Sequence, residues 1–309
     1  MCGDMLRIRY NVMNIMTLEA FANIRGGLHG NCKDVYFLRA AGWNQNLCRQ
    51  VEQMDGILCR RMNAGQGMYK RMAVLPPLRT ETDIGRYLQR YEKWLESGRE
   101  IVDLQTAADN GSLQRIVGAA LSETLRLFKK ITPSVSDSIV RNFAVKLLYW
   151  FEQAAADMLK QWDGHVSYKF VIENITKKQE YLFCYFLTQI GIDILLLQNG
   201  EDISRELENL GLSEKFSVGD FKKDSFPKYE PSKWEPLKVQ ILRKADRIAD
   251  RSAMERPDGK KEHKAAVSEG RRKLEFVELA KLATSVVMIT LHDDRGEAIG
   301  GGSGIMIGR

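Results

Sequence analysis

YKFVIENITKKQEYLFCYFLTQIGIDILLLQNG, Tyr168 to Gly200, changes character twice within 33 residues. Val166–Ile172 is β-branched and aromatic and has the length of a strand. Lys177–Ile190 is apolar on nearly every side of a helix, and Ile192–Leu197 is a short apolar run of the buried-strand kind. Gly191 stands at the junction, where helices often end on a left-handed residue that glycine adopts without steric cost. Parallel strands need a crossover of a dozen or more residues, and the helix supplies one. The stretch therefore predicts a parallel strand pair inside a mixed α/β layer structure.

Such sheets take ligands in the loops at the carboxyl ends of their strands, and a helix that follows presents free N–H groups suited to phosphate. The loop Asn174–Lys178 carries a hydroxyl on Thr176 and ammonium groups on Lys177 and Lys178 that could meet a nucleotide or phosphosugar. The same residues also read without a ligand: Thr176 caps the helix, the two lysines are solvated, and Glu180 in the first turn is favoured by the helix dipole.

Upstream, the chain is helical. After Leu75-Pro76-Pro77-Leu78, which excludes helix, Thr80 to Asp83 offers capping residues. Ile84–Glu100, Leu113–Lys130 and Ser134–Trp162 then each carry an apolar stripe at helical spacing. Residues 1–60 mix short apolar runs with turns. RGGLHG at 25–30 reads as a loop, since it lacks the glycine spacing and framing strand of a phosphate-binding motif.

Downstream, the periodicity dissolves from about residue 218. Four of the seven prolines fall at 227, 231, 236 and 257. Residues 218–275 hold 16 Lys and Arg against 11 Asp and Glu, so almost all of the net charge of +6 sits there. This segment reads as a solvated linker, partly helical and partly disordered, rather than a nucleic-acid surface, because too few aromatics interleave its charges. The expected organisation is an α/β module at 1–224, a charged linker at 225–272 and a further ordered block at 273–309.

The cysteines number five without CxxC spacing, and no histidine stands four residues from another. Neither a disulfide framework nor a metal site is expected, and no cofactor. The N-terminal stretch lacks the apolar core of a signal peptide, and no run approaches the ~18 apolar residues of a membrane span, so a cytoplasmic chain without membrane partners is expected.

Three stretches, VYFLRAAGW (35–43), VKLLYWFEQ (145–153) and Tyr168–Ile203, resemble the bacterial YceG-like family. This is the "biosynthetic module" component associated with tellurite-resistance and stress-response neighbourhoods. The resemblance runs over about residues 15–220 and implies a module that senses or processes a small phosphorylated metabolite. Glu180 falls at the family's glutamate, and Gly191 and Asp193 fall at its Gly-x-Asp. Gln179 replaces a histidine, and Glu173-Asn174 stand where the family tends to have glycine. With Thr176 and Lys177 from the chemistry of the loop, Glu180 and Asp193 from the resemblance complete the candidate ligand set.

The final block reads as a short helix, LEFVELAKLA, a strand, SVVMITL, turn chemistry in HDDRGEAI and a second glycine-rich strand. Ser285 to Arg309 is similar to the start of a trypsin-like protease domain of the HtrA kind, whose first hairpin it would supply. A serine-protease triad needs nucleophile, base and acid together, and none of those positions falls within this stretch. Ser303 lies outside any GxSxG frame and His292 reads as a turn residue. The expectation is a stress-response protein joining a sensor or biosynthetic module to a protease cut before its active site, with no peptidase activity from residues 1–309. Two other readings stand beside it: an enzyme on a nucleotide-sugar or phosphosugar, and a non-enzymatic adaptor that binds protein partners.

Overall fold

A computed structural model describes residues 6–104, 110–235, 286–292 and 298–305. The chain forms two compact units, Met1–Ala249 and Asp250–Arg309.

In the first unit the predicted strand, helix and strand are Tyr168–Glu173 (β6), Lys178–Gln189 (α6) and Ile192–Gln198 (β7). The two strands pair in parallel with Tyr168 opposite Ile192 and Glu173 opposite Leu197. Gly191 ends the helix at φ +93°, and a Cβ there would press on the Lys33 side chain. All seven residues of β7 are buried, because it lies at the centre of a five-stranded parallel sheet. The other strands are Phe37–Ala41 (β4), Met68–Met72 (β5) and Glu214–Ser217 (β8), in the order β5-β6-β7-β4-β8.

Helices cover both faces, so each central strand needs apolar residues in both directions. On one face lie Glu81–Glu96 (α3), Gly111–Ile131 (α4), Asp137–Ala154 (α5) and α6, packed over Phe37, Phe170, Ile172, Ile194 and Leu196. On the other, Leu18–Asn23 (α1) and Leu47–Asn63 (α2) pack over Leu38, Val171, Leu195 and Leu197. Each Leu or Ile so buried contributes about 1.5–3 kcal/mol relative to exposure. Alpha6 is apolar almost all round because it is buried on nearly every side: Tyr181 to Thr188 are all buried among sheet and neighbouring helices.

The cap expected for α3 is in place, and α5 has one of the same kind, whereas Thr176 does not cap α6. Thr80 and Ser136 accept hydrogen bonds from the N–H groups of Asp83 and Ile139. Two helices are shorter than their stripes suggest. Alpha3 stops at Glu96 because Gly98 and Arg99 turn left-handed at φ +73° and +69°. Alpha5 ends at Ala154 and tightens into a 3-10 turn over Ala156–Leu159, whose apolar side chains continue the stripe without continuing the helix.

Residues 25–35 form a small hairpin, Leu28–His29 (β2) with Cys32–Val35 (β3), and Arg7–Tyr10 (β1) joins β3 in parallel. A short helix, Arg205–Glu208 (α7), links β7 to β8. After β8 the chain, expected from residue 225 to be a linker, packs against the first unit as far as Glu235. Phe226, Tyr229 and Trp234 join the apolar cluster over α2, and Pro231–Trp234 forms a 3-10 turn. Residues 236–285, with the rest of the expected linker and the expected helix at 274–283, lie outside the described residues.

In the second unit Val286–His292 (β9) and Ala298–Ile305 (β10) pair antiparallel. Val286 stands opposite Ile305 and His292 opposite Ala298, with one irregularity between Ala298 and Gly300. Beta9 overlaps the expected SVVMITL strand but takes in His292, which was read as a turn residue, and β10 begins at Ala298, inside the stretch HDDRGEAI read as the turn, ahead of the expected strand GSGIMIGR. Among the described residues no helix is long and apolar enough to cross a membrane.

Candidate functional site

All five strands of the large sheet run the same way, so their carboxyl ends share one edge. Beta4 and β7 are neighbours there whose onward connections leave on opposite faces, through α2 and α7. Such a switch point opens a crevice between loops, which is where α/β sheets hold ligands.

The β6–α6 loop lies at this edge and is pinned by side-chain amides. Asn174 turns left-handed at φ +50°, and its Oδ1 accepts from the N–H groups of Asn199 at 3.1 Å and Gly200 at 3.3 Å. The Gln198 amide accepts from the Ile175 N–H at 2.8 Å and donates to the Ile175 carbonyl. Lys177, not Thr176, occupies the cap position of α6, and no side chain caps the helix. Its first-turn N–H groups stay available to a ligand. Thr176 and Lys177 border them, with Lys177 Nζ 3.2 Å from Glu180 Oε1. Lys178 pairs with Glu206 at 2.7 Å, and Gln179, where the resemblance has histidine, accepts from Lys146 at 3.1 Å.

Asp193 is elsewhere. It is the second residue of β7, so about four residues at roughly 3.3 Å each separate it from the carboxyl edge. Its Oδ2 lies 2.9 Å from Lys169 Nζ, directly opposite in register, and both side chains are under 5% exposed. Its Oδ1 accepts from the Tyr36 N–H at 3.1 Å, and Lys169 stands 4.3 Å from the centre of the Phe21 ring. Burial pulls the Lys169 ammonium below the ordinary lysine range, and the Asp193 charge resists that. The structure thus brings Thr176, Lys177 and Glu180 together and leaves Asp193 at the opposite end of the sheet.

A second polar centre lies at the carboxyl end of β5 and β6, on the α2 face. Arg71 is fully buried, 3.1 Å from Asp55 Oδ2 and 2.9 Å from Glu173 Oε1. The Tyr69 hydroxyl donates to Asp55 at 2.5 Å, and the Tyr229 ring lies 5.6 Å from the guanidinium. Burial raises both carboxyls above their ordinary range, against the pull of Arg71. Sequence reading missed this centre, although a signal exists. Asp55 interrupts the apolar stripe of Val51, Met54 and Leu58, and Tyr69 and Arg71 share one side of an alternating strand. Among the described residues no group of three or more His, Cys, Asp or Glu could hold a metal ion.

The chain matches the family described as "YceG domain" over residues 73–237. No curated protein and no solved structure matches it. The matched span begins and ends later than the 15–220 read from the sequence, and it leaves out β4, which completes the sheet between β7 and β8. It takes in α3 to α6, β6 to β8 and the packed segment after β8, and since it covers more than half of the sequence, this chain belongs to the YceG domain family.

Proposed function

We propose that the YceG domain binds a small phosphorylated ligand at the carboxyl edge of its sheet, as the receptor or biosynthetic part of a stress-response protein of the tellurite-resistance-associated kind. The observation that carries the reading is the β6–α6 loop. Its helix has no side-chain cap, Lys177 is 78% exposed beside it, and Asn174 and Gln198 hold the loop in place. Phosphate oxygens would take the first-turn N–H groups, the Thr176 hydroxyl and the Lys177 ammonium, and Glu180 would hold Lys177 in position. Asp193 belongs to the packing of the sheet and not to this ligand set. Calorimetric titration with inorganic pyrophosphate and ADP at low salt tests the reading. Loss of a charged hydrogen bond is worth about 1.5–3 kcal/mol, so Lys177→Ala is expected to weaken binding by about tenfold or more. Absence of binding to either probe, or equal affinity of the variant, would overturn it.

The second unit we read as a hairpin of the kind that opens a trypsin-like domain. The order of SVVMI, acidic turn and GSGI, together with the antiparallel pairing of β9 and β10, supports this. A fluorophosphonate probe is expected to leave residues 1–309 unlabelled, because none of the triad positions falls within them. Labelling of a serine in residues 1–309 would refute that expectation.

A further inference from the structure

The segment from Gly219 to Glu235 leaves β8 and crosses the carboxyl edge of the sheet. It passes the switch point between β4 and β7 and ends against α2. At the crossing, the Trp43 N–H donates to the Asp220 carbonyl at 2.7 Å. The Asn199 amide donates to the Asp224 carbonyl at 2.6 Å, and Arg71 donates to the Pro227 carbonyl. Gly42 makes the approach possible, since a Cβ there would fall on the Gly219 carbonyl oxygen. From Phe221 to Glu230 the segment has no helix or strand of its own. Lys222 and Lys228 pair with Asp224 and Glu230 inside it rather than with the sheet. It is therefore held chiefly by donors from the body of the domain and by three half-buried aromatic rings.

These residues stand where a ligand of an α/β sheet would be expected, and the segment leaves a donor of Arg71 and an acceptor of Asn199 unsatisfied. Arg71 Nε and Asn199 Oδ1 are buried without a hydrogen-bond partner. The Tyr229 ring fills a slot between Tyr69, edge-on at 5.5 Å, the Arg71 guanidinium and the Cys59 thiol.

We propose that residues 219–235 are a strap, an intrachain occupant of the carboxyl-edge crevice that opens as a unit while the rest of the domain stays folded. Opening bares Arg71 with Asp55 and Glu173 and releases the point from which the chain leaves toward residue 236. The inference stands independently of the phosphate reading, because its test uses no ligand. Segments with few apolar contacts and no ladder of their own open at lower free energy than the core does.

Two buried cysteines report on this directly. Cys59 lies under Tyr229, with Sγ 3.7 Å from the hydroxyl, whereas Cys184 is sealed in the core on the opposite face. Native-state alkylation with iodoacetamide, mapped by mass spectrometry, is expected to modify Cys59 at least about tenfold faster than Cys184. Tyr229→Ala should speed Cys59 further and leave Cys184 unchanged. Cys48 Sγ lies 3.8 Å from the Ser225 carbonyl, so oxidised Ser225→Cys would tie the strap down and slow Cys59 to the rate of Cys184. Equal rates at Cys59 and Cys184 in the unmodified protein would show that only global unfolding exposes the slot. An unchanged Cys59 rate in both the tied form and the Tyr229→Ala variant would show that the strap does not gate it. Either result overturns the proposal.

Discussion

Replacing Arg71 by methionine lowers the stability of the first unit by about 3–5 kcal/mol, the usual cost of breaking a buried ion pair from one side. Methionine is apolar, flexible and of similar length, so most of the loss is electrostatic rather than a cavity. Asp55 at 1% exposure and Glu173 at 15% are left facing each other without a counter-charge. The pH dependence gives the effect a signature that simple misfolding lacks. Burial already raises both carboxyls, so between the ordinary carboxylate range near pH 4 and their folded values the native state holds more protons than the unfolded chain. Stability associated with these groups is thus fully present below about pH 4 and is lost as pH rises through the folded values. Removing Arg71 takes away the charge that pulls both values down, which extends that window upward. The deficit of the variant against the unmodified protein should therefore be smaller at about pH 5 than at about pH 8 in urea melts. Equal deficits at the two pH values would mean that Arg71 does not neutralise the acids.

Neither Arg71 nor its partners stood out in the sequence, and the reason is specific. Beta5, MYKRM, is an edge strand whose alternation reads as half-exposed, yet Arg71 is buried by Asp55 sixteen residues before it and Glu173 a hundred residues after it. Beta4 hides in the same way. FLRAA contains Arg39, which is 3% exposed only because Asp202 and Glu208 reach it from beyond β7, at 2.6 and 3.2 Å. Beta8 has one buried side chain, Phe216, in EKFS, too little for a period. By contrast β6, α6 and β7 were legible because each is apolar in every direction its neighbours occupy, a property written locally. From residue 225 on, the strap was read as linker from its prolines and lysines. Its order comes from donors on Trp43, Arg71 and Asn199, which local composition cannot reveal.

Asp193 was legible as a charge inside an apolar strand, but its role follows from register rather than from the strand itself. Parallel pairing of Tyr168 with Ile192 places Lys169 opposite Asp193, so the charge that looked like a ligand group is half of a buried pair. Asp193→Ala is expected to cost about 3–5 kcal/mol, since it strands the Lys169 ammonium and orphans the Tyr36 N–H. Asp193→Asn keeps an acceptor for Tyr36 and loses only the charge, so its penalty should be smaller. It should also shrink toward high pH. Lys169 is already lowered by burial and loses its opposing contribution in the variant, so the folded state sheds the proton first and stability rises with pH up to the ordinary lysine value of 10.5. Combining Asp193→Asn with Lys169→Met removes the buried charge altogether and should recover most of the loss, as apolar replacement of whole buried pairs generally does. Urea melts at about pH 7 and pH 9.5 separate these cases. The same variants divide packing from recognition. Pyrophosphate binding at the β6–α6 loop should survive in the double variant, because Lys177 and Glu180 lie at the other end of the sheet. If restoring stability does not restore binding, Asp193 contributes to the ligand site after all, and the two ends of β7 cannot be acting independently.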